Sequence, residues 1–384
     1  MSMTATPATL SAEERDAILD AVREFADTRL APHALEWDRD KHFPLDVLAA
    51  AGELGLGGIC VGDDVGGAAL GRQDAAAIFE RLAMGDPTIA AYISIHNMVA
   101  WMIDTFGTDD QRRRWLPNLV AMTELGSYCL TEPGAGSDAA AITTSAIPDG
   151  DEYVLTGVKQ FISGAGAAAV YVVMARTGAP GAKGITAFLV PADAAGLSFG
   201  PNEHKMGWNA QPTRQVILDE VRVPASAVLG EVGAGFRIAM KGLNGGRVNI
   251  AACSIGGAQW ALDRAVRYVH ERFTFGEALA ERQTVVFALA DMATQLQAAR
   301  ALVQGAARAI DEGAPDVAVQ CAMAKRFATD AGFEVANQAL QLHGGYGYLQ
   351  EYGIEKVVRD LRVHQILEGT NEIMRVIIGR GVLG

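Results

Sequence analysis

The sequence predicts an α+β chain in three parts: helical, then β-rich, then helical again. Apolar residues recur at helical spacing as far as about Leu125, four short β-rich runs between Gly, Pro and Asp turns fill the middle, and long helical patterns return from about Gly235. Strands grouped between helices, rather than alternating with them, argue against repeated βαβ units. On this reading residues 1–124 form an N-terminal α-helical domain, 125–234 a middle β domain and 235–384 a C-terminal α-helical domain.

Each element has its own signal. Ser11 followed by Glu14 is a capping box, and Ile18, Leu19, Val22, Phe25 and Ala26 fall on one helical face behind it. A glycine-rich stretch from Gly55 to Gly71 interrupts the helical pattern. Tyr153–Val158, Val170–Met174, Ile185–Val190 and Gln215–Val223 have the composition of strands. Beyond them, Phe287, Ala290, Leu296, Ala299, Leu302 and Val303 share one face of a long helix. No internal repeat or low-complexity tract is visible.

Composition narrows the function. With 384 residues, 50% apolar and 20% charged, the chain can bury a substantial core without disulfides or metal. No run approaches the ~18 uncharged apolar residues of a membrane helix. A net charge of -13 argues against a nucleic-acid partner, although a few arginines could still hold a small anionic ligand. Cys60, Cys129, Cys253 and Cys321 lie far apart, so neither a disulfide framework nor a metal site is expected, and reduced thiols suit the cytoplasm. Met1 to Leu10 lacks a basic start before an apolar run, and the first basic residue is Arg15, so no secretory or transit leader is expected.

Two G-x-G starts, at Gly164 and Gly233, fail as dinucleotide fingerprints. The residues after Gly166 read as a strand, and the third position after Gly235 is Ile238. Four other segments carry more. In Tyr128–Asp138, Pro133, Gly134 and Gly136 force a tight turn that exposes backbone N–H groups, with hydroxyls at Thr131 and Ser137; it also reads as a plain inter-domain turn. Phe161-Ile162-Ser163 ends a strand with an aromatic and a hydroxyl, which suits a flat cofactor or simple core packing. Gln341–Tyr348 closes a helix with glycines, as a helix stop or a backbone approach to a ligand. In Gln365–Arg375, Ile366 and Leu367 give Glu368 apolar surroundings and Thr370 can cap a final helix. A carboxyl so desolvated has the raised pKa that a proton-abstracting base requires, though a helix-end carboxylate without chemistry has the same pattern.

Taken in order, Thr131–Asp138 (TEPGAGSD), Phe161–Ser163 (FIS), His343–Gly347 (HGGYG) and Glu368–Arg375 (EGTNEIMR) resemble the acyl-CoA dehydrogenase family, from about Leu10 to Gly379. The resemblance implies a middle domain like a β-barrel, a C-terminal four-helix bundle, and FAD as cofactor. It implies that Tyr128, Leu130, Thr131, Gly136 and Ser137 line one side of the isoalloxazine. Phe161, Ile162 and Ser163 would line the other, with the Ser163 hydroxyl near the flavin N5 that accepts hydride. Many relatives have tryptophan where this chain has Phe161. Arg272, Phe275, Arg282 and Gln283 match residues that reach the FAD of a neighbouring subunit. Gln341, Gly344 and Gly345 match the segment around that same half of the cofactor, and Thr370 and Glu372 match a further FAD contact. Glu368 matches the catalytic base. The alternative base position that some relatives use is Gly246 here, which has no side chain. Ser137, Asn244, Gly245, Gly246, Arg247 and Arg380 match acyl-CoA contacts, although a solvated surface arginine is the plain reading of Arg247 and Arg380. The resemblance further implies a short acyl-CoA substrate, an electron-transfer flavoprotein as acceptor and a homotetramer. Phe161–Gly166, Gly207–Arg214, Gly242–Arg247 and Val363–Glu368 are similar to the branch that acts on isobutyryl-CoA, with butyryl- and 2-methylbutyryl-CoA left open.

Overall fold

Ser11 opens the first helix, as its spacing predicts. In the computed structural model of the chain, which describes residues 10–384, its hydroxyl accepts from the Glu14 N–H at 3.2 Å and Glu14 Oε2 accepts from the Ser11 N–H at 2.8 Å. The leader-free reading of residues 1–9 lies outside the described residues. Helix α1 (Ala12–Phe25) buries Val22 and Phe25, and a π turn continues it to bury Ala26 and Leu30. Helices α2 (Ala34–Asp40) and α3 (Leu45–Glu53) lead into the glycine-rich loop. Then come α4 (Arg72–Gly85), α5 (Pro87–Phe106) and α6 (Asp109–Val120). Asp86 caps α5 by accepting from the Thr88 N–H at 2.8 Å. Helix α5 is apolar on nearly every face and is therefore buried along most of its length.

The middle region is one eight-stranded sheet with the order β6-β7-β3-β2-β4-β5-β8, and β1 pairs in parallel with β4. The strands are β1 (Gly126–Cys129), β2 (Ser145–Asp149), β3 (Glu152–Ser163), β4 (Val170–Arg176), β5 (Ile185–Pro191), β6 (Leu197–Phe199), β7 (Thr213–Pro224) and β8 (Val228–Leu229). The four strands read from sequence are β3, β4, β5 and β7. The others span only two to five residues, too short to show a period.

The chain then forms three long helices, α7 (Gly235–Glu271), α8 (Gln283–Asp311) and α9 (Val317–His343), with a small hairpin of β9 (Phe273–Thr274) and β10 (Glu277–Ala278) between the first two. Helices α10 (Ile354–His364) and α11 (Asn371–Leu383) pack on α9. The two helical regions share one core. Phe79 and Leu82 of α4 and Ile93 of α5 join Val248 of α7, Leu296 of α8 and Val335 of α9 in the same apolar cluster. A Cβ at Gly256 would strike the Glu80 carbonyl, so that glycine is what lets α4 and α7 approach. The apolar face read on α8 is buried only in part: Leu296, Ala299 and Val303 are inside, whereas Phe287, Ala290 and Leu302 are exposed. The first turns of that helix, from Gln283 to Phe287, stand largely outside the core, which it enters at Met292 and Leu296. Among the described residues, no helix is long and apolar enough to cross a membrane.

Candidate active site

Residues 365–370 form the turn between α10 and α11, and this turn presents Glu368. Glu368 has φ +55° and Gly369 φ +88°, so the backbone reverses through two left-handed residues, a conformation that glycine accepts and glutamate resists. Other groups hold it there. Arg247 Nε donates to the Glu368 carbonyl at 3.2 Å, and Lys325 Nζ donates to the Gly369 carbonyl at 2.8 Å and to Asn371 Oδ1 at 2.9 Å. Thr370 closes the turn by capping α11, its hydroxyl accepting from the Ile373 N–H at 3.3 Å.

The carboxyl that this turn carries lies against α7. A Cβ added to Gly246 would stand 2.5 Å from Glu368 Oε2, so the carboxyl occupies the space that a larger residue at 246 would need. Oε2 is buried and has no hydrogen-bond partner. Burial raises the Glu368 pKa to about 7, with the charges of Arg247 and Lys325 opposing the rise. Such a group is ionised in substantial part at neutral pH and still binds a proton well, which is what a general base needs.

The other side chains of this centre follow from α7, α9 and β1. Arg247 is 4% exposed, not a solvated surface residue, and its guanidinium donates to Asn244 Oδ1 at 2.9 Å. Gly245 is packed beneath the Arg72 guanidinium. The Tyr128 hydroxyl is buried without a partner, and burial together with the nearby Glu368 charge holds its proton on. Beyond Tyr128 the chain turns, with Glu132 and Ala135 bridging each other. Leu130 is buried and Thr131 half-buried, while Gly136 and Ser137 are open to solvent. The Gln160 N–H donates to the Thr131 carbonyl at 2.8 Å, which brings this turn beside the end of β3. There the β3–β7 register slips, and Phe161, at φ +59°, is 63% exposed. Ile162 points into the core, so it can offer a cofactor only backbone. Ser163 is half-buried, and its carbonyl accepts from Ser127 Oγ at 2.7 Å.

A second group gathers elsewhere. Arg272, Gln341, Gly344 and Gly345 line one open cleft with Tyr268 and Tyr346, and the Arg272 guanidinium lies 5.6 Å from the centre of the Tyr346 ring. Phe275, 96% exposed at φ +54°, stands on the β9–β10 turn with Arg282 over its ring, and Gln283 opens α8 in solvent. The lining of this cleft includes none of Tyr128, Phe161 or Glu368. Glu372 and Arg380, on α11, are exposed.

The sequence reading missed Lys325. Its signal was a lysine four residues from Cys321 and four before Thr329, on the inward face of a helix otherwise lined there by small residues.

Models of the N-terminal, middle and C-terminal domains of acyl-CoA dehydrogenases match residues 12–123, 127–221 and 233–383. The chain belongs to the acyl-CoA dehydrogenase family, FAD-dependent oxidoreductases acting on acyl-CoA. It is 52% identical over 371 residues to the mitochondrial isobutyryl-CoA dehydrogenase of Bos taurus, covering 97% of this chain and 89% of the relative. Butyryl-CoA dehydrogenase from Megasphaera elsdenii superimposes with a TM-score of 0.94 at 37% identity, covering 98% of this chain and 100% of that one. A glutaryl-CoA dehydrogenase from Mycobacterium smegmatis, solved in complex with FADH2, superimposes with a TM-score of 0.91 at 29% identity, covering 97% and 95%. Because the bovine relative is named mitochondrial, it lends no support to the cytoplasmic expectation drawn from the cysteines.

Proposed function

We propose that this chain removes hydrogen from the α and β carbons of a short branched acyl-CoA, converting isobutyryl-CoA to methacrylyl-CoA in valine breakdown, with Glu368 as the base. The observation that carries the reading is the buried, partnerless Oε2 of Glu368 beside Gly246. A carboxyl left free of donors is open to a proton from a ligand.

The residues present suit FAD. The exposed Phe161, the open turn at Gly134 and Gly136, where an added Cβ would meet nothing, and the partnerless Tyr128 hydroxyl leave room and polar groups for a flat ring system. When bound, FAD supplies the acceptor for the β hydrogen as hydride. The protein does the rest. Leu130, Thr131, Gly136, Ser137, Ile162 and Ser163 are the proposed contacts around that ring, and Thr370 and Glu372 a further one. Asn244, Gly245, Arg247, Ser137 and Arg380 are the proposed contacts to the thioester and its CoA. Glu368 takes the α proton, and Arg247 and Lys325 keep its turn in place while the apolar surroundings keep its proton affinity high.

The separate cleft at Arg272, Gln341, Gly344 and Gly345, with Phe275, Arg282 and Gln283 beside it, suits the cofactor of a neighbouring subunit. We therefore assign a homotetramer, with an electron-transfer flavoprotein as acceptor. The exposed Val286 and Phe287 on α8 support association.

Anaerobic mixing of the purified flavoprotein with isobutyryl-, butyryl- and 2-methylbutyryl-CoA tests the substrate. Isobutyryl-CoA is expected to bleach the flavin with the highest kcat/KM, by roughly 10–200-fold over 2-methylbutyryl-CoA, which carries one methylene more, and ahead of its straight-chain isomer butyryl-CoA. A higher kcat/KM for either competitor would move the assignment to that substrate, and no bleaching by any would overturn it.

A further inference from the structure

Lys325 differs from the other fully buried lysines. Lys159 meets Glu132 at 2.7 Å, and Lys356 meets Asp86 at 2.9 Å and Asp360 at 2.7 Å. A buried ammonium is costly unless an anion or several acceptors surround it, and these two follow the rule directly. Lys325 is equally buried, yet its hydrogen bonds go to two neutral acceptors, the Gly369 carbonyl and Asn371 Oδ1. The carboxylates near it are otherwise occupied or held off. Asp330 Oδ1 accepts from Asn371 Nδ2 at 2.7 Å and from Gln365 Nε2 at 2.9 Å, and Glu372 is exposed. Glu368 lies within reach of its field, but Oε2 accepts nothing.

We infer that Lys325 is a positioning residue that clamps the turn just beyond Glu368, at Gly369 and Asn371, through neutral acceptors, leaving the carboxyl of the base free for substrate. The inference rests on Glu368 being the base. Sequence spacing gives no hint of it, because the clamp joins residues 44 and 46 positions apart.

A field effect follows from the same geometry. The charged and titratable groups facing Glu368 are Arg247 from α7, Lys325 from α9 and Tyr128 from β1. Around Lys325 itself stand Glu368, Arg247, Asp330 and Glu372, with His364 at the end of α10. Removing the ammonium leaves Arg247 as the one cation favouring ionised Glu368.

The test uses holoenzyme carrying Lys325→Met or Lys325→Arg, with kcat, KM and the pH profile of kcat/KM for isobutyryl-CoA. Lys325→Met is expected to lower kcat at pH 7 with KM little changed. It should also move the acid limb up, by about one pH unit, as expected on losing a nearby opposite charge. Lys325→Arg should bring the limb back towards wild type. A fall in melting temperature in both variants with the limb unmoved would mean that the lysine only holds the fold, and would overturn the inference. If Lys325→Met yields no folded holoenzyme, Asn371→Ala removes one acceptor, along with the Asn371 Nδ2 donation to Asp330, while keeping every charge. It should lower kcat at near-constant KM, and an unchanged kcat would overturn the inference. Glu368→Gln separates the two readings. Wild-type turnover in it would defeat the base itself, whereas lost turnover beside an unmoved limb in the lysine variants would defeat only the clamp.

Discussion

Glu132 and Glu368 are both carboxyls taken out of water near a lysine, on two segments of the same candidate site, and they end in opposite states. Glu132 accepts from the Thr143 N–H at 2.6 Å, Thr143 Oγ1 at 2.9 Å, the Thr144 N–H at 3.0 Å and Lys159 Nζ at 2.7 Å. Burial pushes its pKa up, but the charge of Lys159 and these donors outweigh burial and hold it at about 2. At Glu368 burial wins, because Oε2 has no donor at all, and the pKa rises to about 7. Burial therefore does not distinguish a structural carboxyl from a reactive one; the supply of donors does. Glu132 ties the Tyr128–Asp138 turn to β3 and so shapes one wall of the site, while Glu368 is left open within it.

The contrast can be broken from either side. The largest effect belongs to Glu368→Gln, which removes the proposed base but keeps the shape. Turnover is expected to fall by about 10²–10⁴-fold, read from steady-state kinetics. The same variant should melt higher than wild type at pH 8. A raised folded-state pKa favours the protonated form, so the stability tied to Glu368 is full below its unfolded value and is lost as pH rises through about 7. Wild-type kcat/KM should rise over that same window as the base ionises.

Lys159→Met attacks the closed carboxyl instead. It leaves Glu132 buried without its cation and should cost about 3–5 kcal/mol in urea denaturation, through stability rather than through a shifted pH profile. The lowered pKa of Glu132 has the opposite sign of linkage. Its contribution is full above the unfolded value and is lost as pH falls towards about 2, so acid unfolding should begin on that side. Gly246→Ala sharpens the comparison without touching a charge. A methyl 2.5 Å from Oε2 must displace the carboxyl, and a shift of about 1 Å costs on the order of 10²-fold in turnover. The smallest effect is that of Thr370→Ala, which removes the cap of α11 and should lower stability by about 1 kcal/mol in thermal unfolding.

The same contrast marks what a sequence can disclose. The pattern around Glu368 is local: the permissive Gly369 and the cap at Thr370 follow it directly, so the turn was legible, whereas Ile366, read as apolar cover for the carboxyl, is 50% exposed. Gly246 was singled out by resemblance alone, and the structure places it against the Glu368 carboxyl. The long strands β3, β4, β5 and β7 were legible too, as was the start of α7 at Gly235. The pairing of Glu132 with Lys159 spans 27 residues and the hold of Lys325 on Gly369 spans 44, so neither leaves a periodic trace. The plain reading of Arg247 as a solvated surface arginine, set beside its match to an acyl-CoA contact, does not hold: the side chain is buried, because α7 is lined there with small residues that leave space for the guanidinium. On α8, periodicity revealed an apolar face but could not say how much of that face the rest of the chain covers.

The central claim is that Glu368 takes the α proton, and proton exchange reads it most directly. In D2O, wild-type holoenzyme should exchange the α hydrogen of a short acyl-CoA analogue that has no β hydrogen to lose, with a rate that rises through about pH 7. Glu368→Gln should show no exchange above the uncatalysed rate. Exchange at the wild-type rate in that variant would contradict the account.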